Sequence, residues 1–117
     1  MAAQPAVYLM SVDETPAFSG PPGWLKRVVT KARAGVDFTF SVAQLYPGGG
    51  HEWHSHDEQD EIIYVMEGEG TLSVEGYGDI KYRPGMAIVV PRGARHQNMN
   101  TSAKNISIVT VFNPALL

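Results

Sequence analysis

No cysteine occurs in the 117 residues, which excludes a disulfide framework and thiolate chemistry. Long hydrophobic runs are missing too, none approaching the ~20 residues that span a bilayer. The opening MAAQPAVYLMSVDE has neither a basic start nor a long apolar segment, so neither a secretory leader nor a membrane partner is expected. Positive charge is scarce: 9 Lys and Arg stand against 12 Asp and Glu, for a formal net charge of −3. That balance argues against nucleic acid as the main partner. No segment sustains a 3.6-residue apolar period, so no long amphipathic helix is expected. The GxSxG, P-loop and complete GxGxxG patterns are absent as well, which removes several common catalytic readings. These absences together read as a cytoplasmic domain.

What is present is punctuation. Twelve Gly and eight Pro cut the chain into short pieces rich in β-branched and aromatic residues. Strands are expected at Leu25–Lys31, Val36–Tyr46, Glu61–Met66, Thr71–Glu75, Asp79–Arg83, Met86–Val90, Arg95–Asn98 and Asn105–Phe112. In the second of these, Val36, Phe38, Phe40 and Val42 share one side. The separators, such as Pro47-Gly48-Gly49-Gly50 and Pro91-Arg92-Gly93, are turn chemistry. Eight or more short strands at a spacing of about 8–12 residues indicate an all-β antiparallel sandwich or barrel, and closure would remove exposed edges. One domain is expected over residues 25–117. Residues 1–24 form an N-terminal segment with a short strand around Val7–Met10 as a candidate dimer contact.

Three of the four histidines fall in the stretch HEWHSHDEQDE, residues 51–61. On a strand, His54 and His56 share a face about 7 Å apart, with Ser55 opposite. If Asp57–Asp60 is a polar turn, Glu61 on the next strand becomes a cross-strand neighbour of His56. His96 lies on another expected strand, just after a turn that could return the chain to the same spot. Three imidazoles and a carboxylate suit a divalent transition metal such as Mn, Fe, Co, Ni, Cu or Zn. The plain alternative is a solvated acidic turn flanked by surface histidines. His51, three residues before His54, has the opposite parity and is expected at the rim facing away, unless a bulge after the triple glycine turns it inward as a base. Glu52 shares parity with His54 and is a candidate general base at the mouth. Gln44 and Gln97, polar residues in apolar strands, are candidates for binding substrate or orienting a ligand imidazole. Trp53, Tyr64 and Met66 are read as packing residues, and Asp57, Glu58 and Asp60 as a solvated turn.

The spacing resembles the cupin superfamily, and in particular its small single-domain, RmlC-like members. The first cupin motif is matched by Gly48, His54, His56, Glu61 and Gly68, the second by Gly85, Pro91, Gly93, His96 and Asn100, with sixteen residues between them. Every fixed position is filled, and the match covers a little under half the chain. The resemblance implies a small jelly roll, or double-stranded β-helix barrel. It also implies that His54, His56, Glu61 and His96 hold one divalent metal inside it, with Gly48, Gly68, Gly85 and Gly93 in tight turns and Asn100 structural. A homodimer is implied by similarity to small cupins.

Two functional classes remain open at this level. A metalloenzyme acting on a small chelated organic molecule would be dioxygenase-like with Fe, or an isomerase, cyclase or lyase with Zn, Ni or Mn. A non-catalytic module would use the same pocket to bind a sugar or a small acid.

Overall fold

Glycine and proline turns leave only short extended segments, and the chain pairs them in two antiparallel sheets. The structure, a computed structural model, describes residues 7–19 and 23–117. In chain order the elements are β1 (Phe18–Ser19), β2 (Gly23–Val29), α1 (Lys31–Ala34), β3 (Thr39–Leu45), β4 (Gly50–His54), β5 (Asp60–Glu67), β6 (Gly70–Val74), β7 (Gly78–Tyr82), β8 (Ala87–Val90), β9 (His96–Met99) and β10 (Ile106–Asn113). One sheet has the order β1-β2-β3-β10-β5-β8 and the other β4-β9-β6-β7. This is the expected all-β jelly roll. None of the described helices is long and apolar enough to cross a membrane.

Edges are not abolished by closure, as the barrel reading had suggested. No ladder joins the two sheets, which meet through side chains. The exposed edges are kept short instead: two residues in β1, four in β8, five in β7, and five in β4, which a register shift interrupts. Short or bulged edges pair poorly with other chains. Residues 7–10 carry no strand, and Val7 and Leu9 are exposed, so the strand expected there is not formed by this chain alone.

Alternation along β3 and β10 is strict, but its sense in β3 is unexpected. The buried side of β3 is Thr39, Ser41, Ala43 and Leu45, while the more apolar set with Phe38, Phe40 and Val42 faces outward. Ala43 lines a cavity, while Ser41 accepts from the Arg27 guanidinium and Thr39 donates to the Leu117 carbonyl. The core fills the opposite end, where Leu45, Val65, Leu72, Tyr82 and Ile106 are buried together, and Ala43, Ile63 and Ile108 join it to the cavity. Following the register, the inward rows run from this apolar end to a polar one. One row is Arg27, Ser41, Thr110 and Ile63; the next is Thr39, Phe112, Glu61 and Val90.

The turns behave as the motifs imply. Gly48, Gly68, Gly85 and Gly93 all have φ between 81° and 90°, a region that only glycine adopts freely. Asn100 is 1% exposed and its side chain closes a loop. Its Nδ2 donates to the carbonyls of Leu45 (2.9 Å) and Lys104 (2.7 Å), and its Oδ1 accepts from Ser102 N (3.0 Å) and Oγ (2.7 Å).

Candidate functional site

At the polar end of the sandwich a cavity of about 640 Å³ opens between the sheets. His54 at the end of β4 and His96 at the start of β9 are direct partners in the ladder, so their rings lie together, 4.3 Å between centroids. His56, just past the end of β4, lies 4.9 Å from His54 and 5.6 Å from His96. One nitrogen from each of the three falls within 4.8 Å of the others. A second depression, near 390 Å³, lies around Glu69, Thr71, Lys81 and Arg83; it is shallow and contains no histidine.

Glu61 reaches this group from the other sheet. The expected β4–β5 hairpin does not form, because β4 and β5 belong to different sheets and Glu61 pairs with Phe112 and Val90. Its carboxylate instead crosses the interior, with Oε1 3.3 Å from His96 Nε2 and 3.8 Å from His56 Nε2. The sequence argument therefore placed Glu61 beside His56 for the wrong reason.

The backbone sets the polarity of the rings. His54 Nδ1 donates to the Glu52 carbonyl (2.6 Å) and His96 Nδ1 to the Ala94 carbonyl (2.8 Å). Each bond leaves the Nε2 lone pair of a neutral ring pointing into the site. The His96 lone pair then faces the Glu61 carboxylate, whose buried Oε1 has no hydrogen-bond partner despite the short approach. An orphaned buried acceptor costs about 1–3 kcal/mol, and more when charged. Only a cation relieves such a cluster. A proton is one solution: burial pulls the His96 imidazolium down, but Glu61 and the Ala94 carbonyl outweigh it and hold its pKa above the ordinary histidine value. Burial and then the neighbouring histidines keep His56 below that value despite Glu61, so His56 stays neutral, as a metal ligand must.

A metal ion is the other solution, and the residues fit one. Ligand atoms around an ion with bonds of ~2.1 Å lie about 3–3.5 Å apart. The spacings here need only small side-chain rotations to reach that. The three histidines could therefore bind a metal.

The remaining sequence candidates separate clearly. His51 faces the cavity, not away from it. A register shift on β4 sets three residue steps, His51 to His54, against two on β9, Asn98 to His96, and this bulge overrides the parity rule. Gly50 admits the close approach: a side chain there would collide with the Asn98 carbonyl and Met99. The His51 ring lies 6.2 Å from that of His54, and burial, followed by His54, lowers its pKa. Glu52 lies at the mouth with an exposed side chain; it is its backbone carbonyl that orients His54.

Gln44 and Gln97 are not in the cavity. Gln44 lies on the outer face, where its Nε2 donates to Ser107 Oγ at 3.3 Å. Gln97 alternates with the inward His96 and Asn98 and so faces out. Tyr64 and Met66 are exposed on the outside of β5, whereas Trp53 stands at the cavity rim with the Arg95 guanidinium 5.9 Å from its ring. Asp60 is more than part of a solvated turn. It accepts from Arg92 N (2.9 Å), Nε (3.3 Å) and Nη2 (3.1 Å), and these bonds hold its carboxyl below the ordinary range. With Gly93 N donating to the His56 carbonyl (2.9 Å), this clamp ties the two motif segments together.

Among the cavity residues that escaped the sequence reading are Arg27, Thr110 and Phe112. Phe112 packs edge-on against His56 at 4.8 Å and lies beneath the Arg27 guanidinium at 5.4 Å. An arginine inside the β-branched run of β2 was the one available signal.

Residues 41–112 match the family model described as a cupin domain. The chain belongs to the cupin family. Among curated relatives, this cupin is 28% identical to germin-like protein 1-2 of Oryza sativa subsp. japonica, over 87% of the chain and 49% of that protein, so it spans about half the relative's length. It is 27% identical to L-ectoine synthase of Bordetella petrii, over 80% of the chain and 69% of the relative. Among solved structures, KdgF from Halomonas sp. superposes with a TM-score of 0.78 at 22% identity, over 92% of this chain and 94% of that one. At that identity the likeness is one of fold.

Proposed function

We propose that this cupin is a metal-dependent enzyme acting on a small organic molecule, with one divalent transition ion held by His54, His56, Glu61 and His96. The observation that carries the reading is the convergence of one nitrogen from each of three histidines within 4.8 Å, beside a buried, unpartnered Glu61 oxygen. The similarity to L-ectoine synthase, an enzyme by its name, supports the catalytic class over a passive binding module.

A bound ion would polarise a chelated carbonyl or enol and lower the pKa of a bound water. The chain's own residues do the rest. The Glu52 and Ala94 carbonyls fix the ring orientations, and the walls formed by Leu25, Ala43, Ile63, Ile108 and Phe112 limit access of water. His51 offers a base whose neutral form is favoured by burial, one ring away from His54.

The test is elemental analysis of untagged protein, followed by turnover assays with the metal found. Stoichiometric iron with oxygen uptake on diketones or catechols would assign dioxygenase chemistry. Zinc, nickel or manganese with no oxygen uptake would assign isomerase, cyclase or lyase chemistry. A protein that takes up no transition metal sinks the proposal.

The exposed apolar stripe of Ile62, Tyr64, Met66 and Val89 (67% exposed) on neighbouring β5 and β8 supports a homodimer built on that face. Val89→Glu should then yield a monomer by analytical ultracentrifugation, and an unchanged sedimentation coefficient would refute it.

A further inference from the structure

Among the described residues, three buried side-chain polar atoms lack any hydrogen-bond partner: Arg27 Nε, Glu61 Oε1 and Thr110 Oγ1. All three residues line the same cavity. Buried polar groups are nearly always paired, so three orphans in one cavity mark what its occupant must satisfy. Glu61 is accounted for by a cation. Arg27 and Thr110 are not: a guanidinium N–H and a hydroxyl can both donate, and neither is a usual ligand for the transition ion that imidazoles favour.

We propose that Arg27 and Thr110 form a carboxylate subsite, which makes the substrate a small carboxylic acid. The register brings them together. Arg27, Ser41 and Thr110 occupy one inward row across β2, β3 and β10. Arg27 Nη1 donates to Ser41 Oγ (3.1 Å), which anchors the head group and leaves Nε free. The guanidinium rests over Phe112, the next inward residue after Thr110, and so spans the gap between β2 and β10. Phe112 also touches His56, so the subsite adjoins the histidine cluster. A carboxylate there accepts from the guanidinium fork and the Thr110 hydroxyl together, the planar geometry that arginine recognises best. The rest of the molecule then lies against the histidine centre. Burial lowers the Arg27 pKa while Glu61 opposes this, but arginine remains a cation throughout.

The inference deepens the proposed function and rests on it only for the far end of the ligand. The test uses zinc-loaded protein and two matched probes of equal size, butanoate and butanamide, titrated against backbone amide resonances, with zinc content measured on each sample. Wild type should bind butanoate at least tenfold more tightly than butanamide. Arg27→Gln should weaken butanoate by about tenfold to a hundredfold while butanamide and zinc content stay unchanged, and Arg27→Lys should fall between. Thr110→Val removes an unsatisfied hydroxyl at constant shape, so it should raise Tm yet weaken butanoate severalfold. If Arg27→Gln does not fold, as its amide dispersion will report, Arg27→Lys and Thr110→Val decide. Butanoate affinity equal to wild type in these variants overturns the subsite. A wild type that holds no zinc but still prefers butanoate sinks the metal centre and leaves the subsite standing.

Discussion

Replacing Glu61 by Gln should move two measurable quantities in opposite directions. The side chain is 8% exposed, and Gln has nearly the same volume, so no cavity is made. Where His96 is neutral in the metal-free protein, the carboxylate faces its Nε2 lone pair at 3.3 Å with no donor for Oε1. The amide of Gln can donate to that lone pair. Relieving one orphaned, charged acceptor should stabilise the metal-free fold by about 1 kcal/mol, which for a domain of this size raises Tm by about 3–6 °C. The gain should shrink at pH 5. His96 has a raised pKa in the folded state, so the stability it shares with Glu61 is fully present below the unfolded value of about 6.5 and is lost as pH rises through the folded one. Gln forfeits that term only at low pH. Metal affinity should fall instead, since an anionic ligand becomes a neutral one. Even groups that merely orient ligands are worth about 10–100-fold, so zinc should bind about 100-fold more weakly or worse. Differential scanning fluorimetry with a chelator and a competition titration with a zinc indicator measure the two. A variant that binds zinc like wild type, or whose metal-free form melts lower at pH 8, would refute the convergence argument.

His54→Ala should remove most of the metal, by elemental analysis, while far-UV circular dichroism stays unchanged, because the apolar core lies at the other end; a global loss of structure would show a structural centre instead. Metal should dissociate as pH falls through roughly 6, as protons compete for the imidazoles. Glu61 makes His96 the easier ring to protonate and burial makes His56 the harder one; full occupancy at pH 4 in a dialysis series would exclude histidine ligation. Asn100→Ala leaves the buried Leu45 carbonyl and the Lys104 carbonyl without their shared donor, so chemical denaturation should show a loss of about 2–4 kcal/mol. A loss below 1 kcal/mol would mean water replaces the amide.

The strands, their turns and the four inward groups were legible because they follow local rules. The motif glycines Gly48, Gly68, Gly85 and Gly93 mark turns, and the spacing Gly48-His54-His56-Glu61 and Pro91-Gly93-His96-Asn100 survives any detail of packing. Faces were harder to read. Alternation shows that Gln44 shares a side with Val42, and Gln97 the side opposite His96, but period 2 alone does not say which side is the interior. In β3 the side with more apolar bulk turned out to be the outer one, since the inner side meets a cavity at Ala43 and the Arg27 guanidinium at Ser41. His51 defeated parity by one inserted residue on β4.

The amino-acid order by itself determined that this chain is a small all-β cupin with its histidines and Glu61 at the spacing of the two cupin motifs. Motif geometry and turn chemistry act over a few residues, so they can be read in one dimension. Only the tertiary structure decided what shares the cavity. Arg27, Thr110 and Glu61 lie far apart along the chain, and strand order β2-β3-β10-β5 sets them on one inner face. Strand adjacency is a property of the global fold, and it alone brings these unpaired polar atoms together.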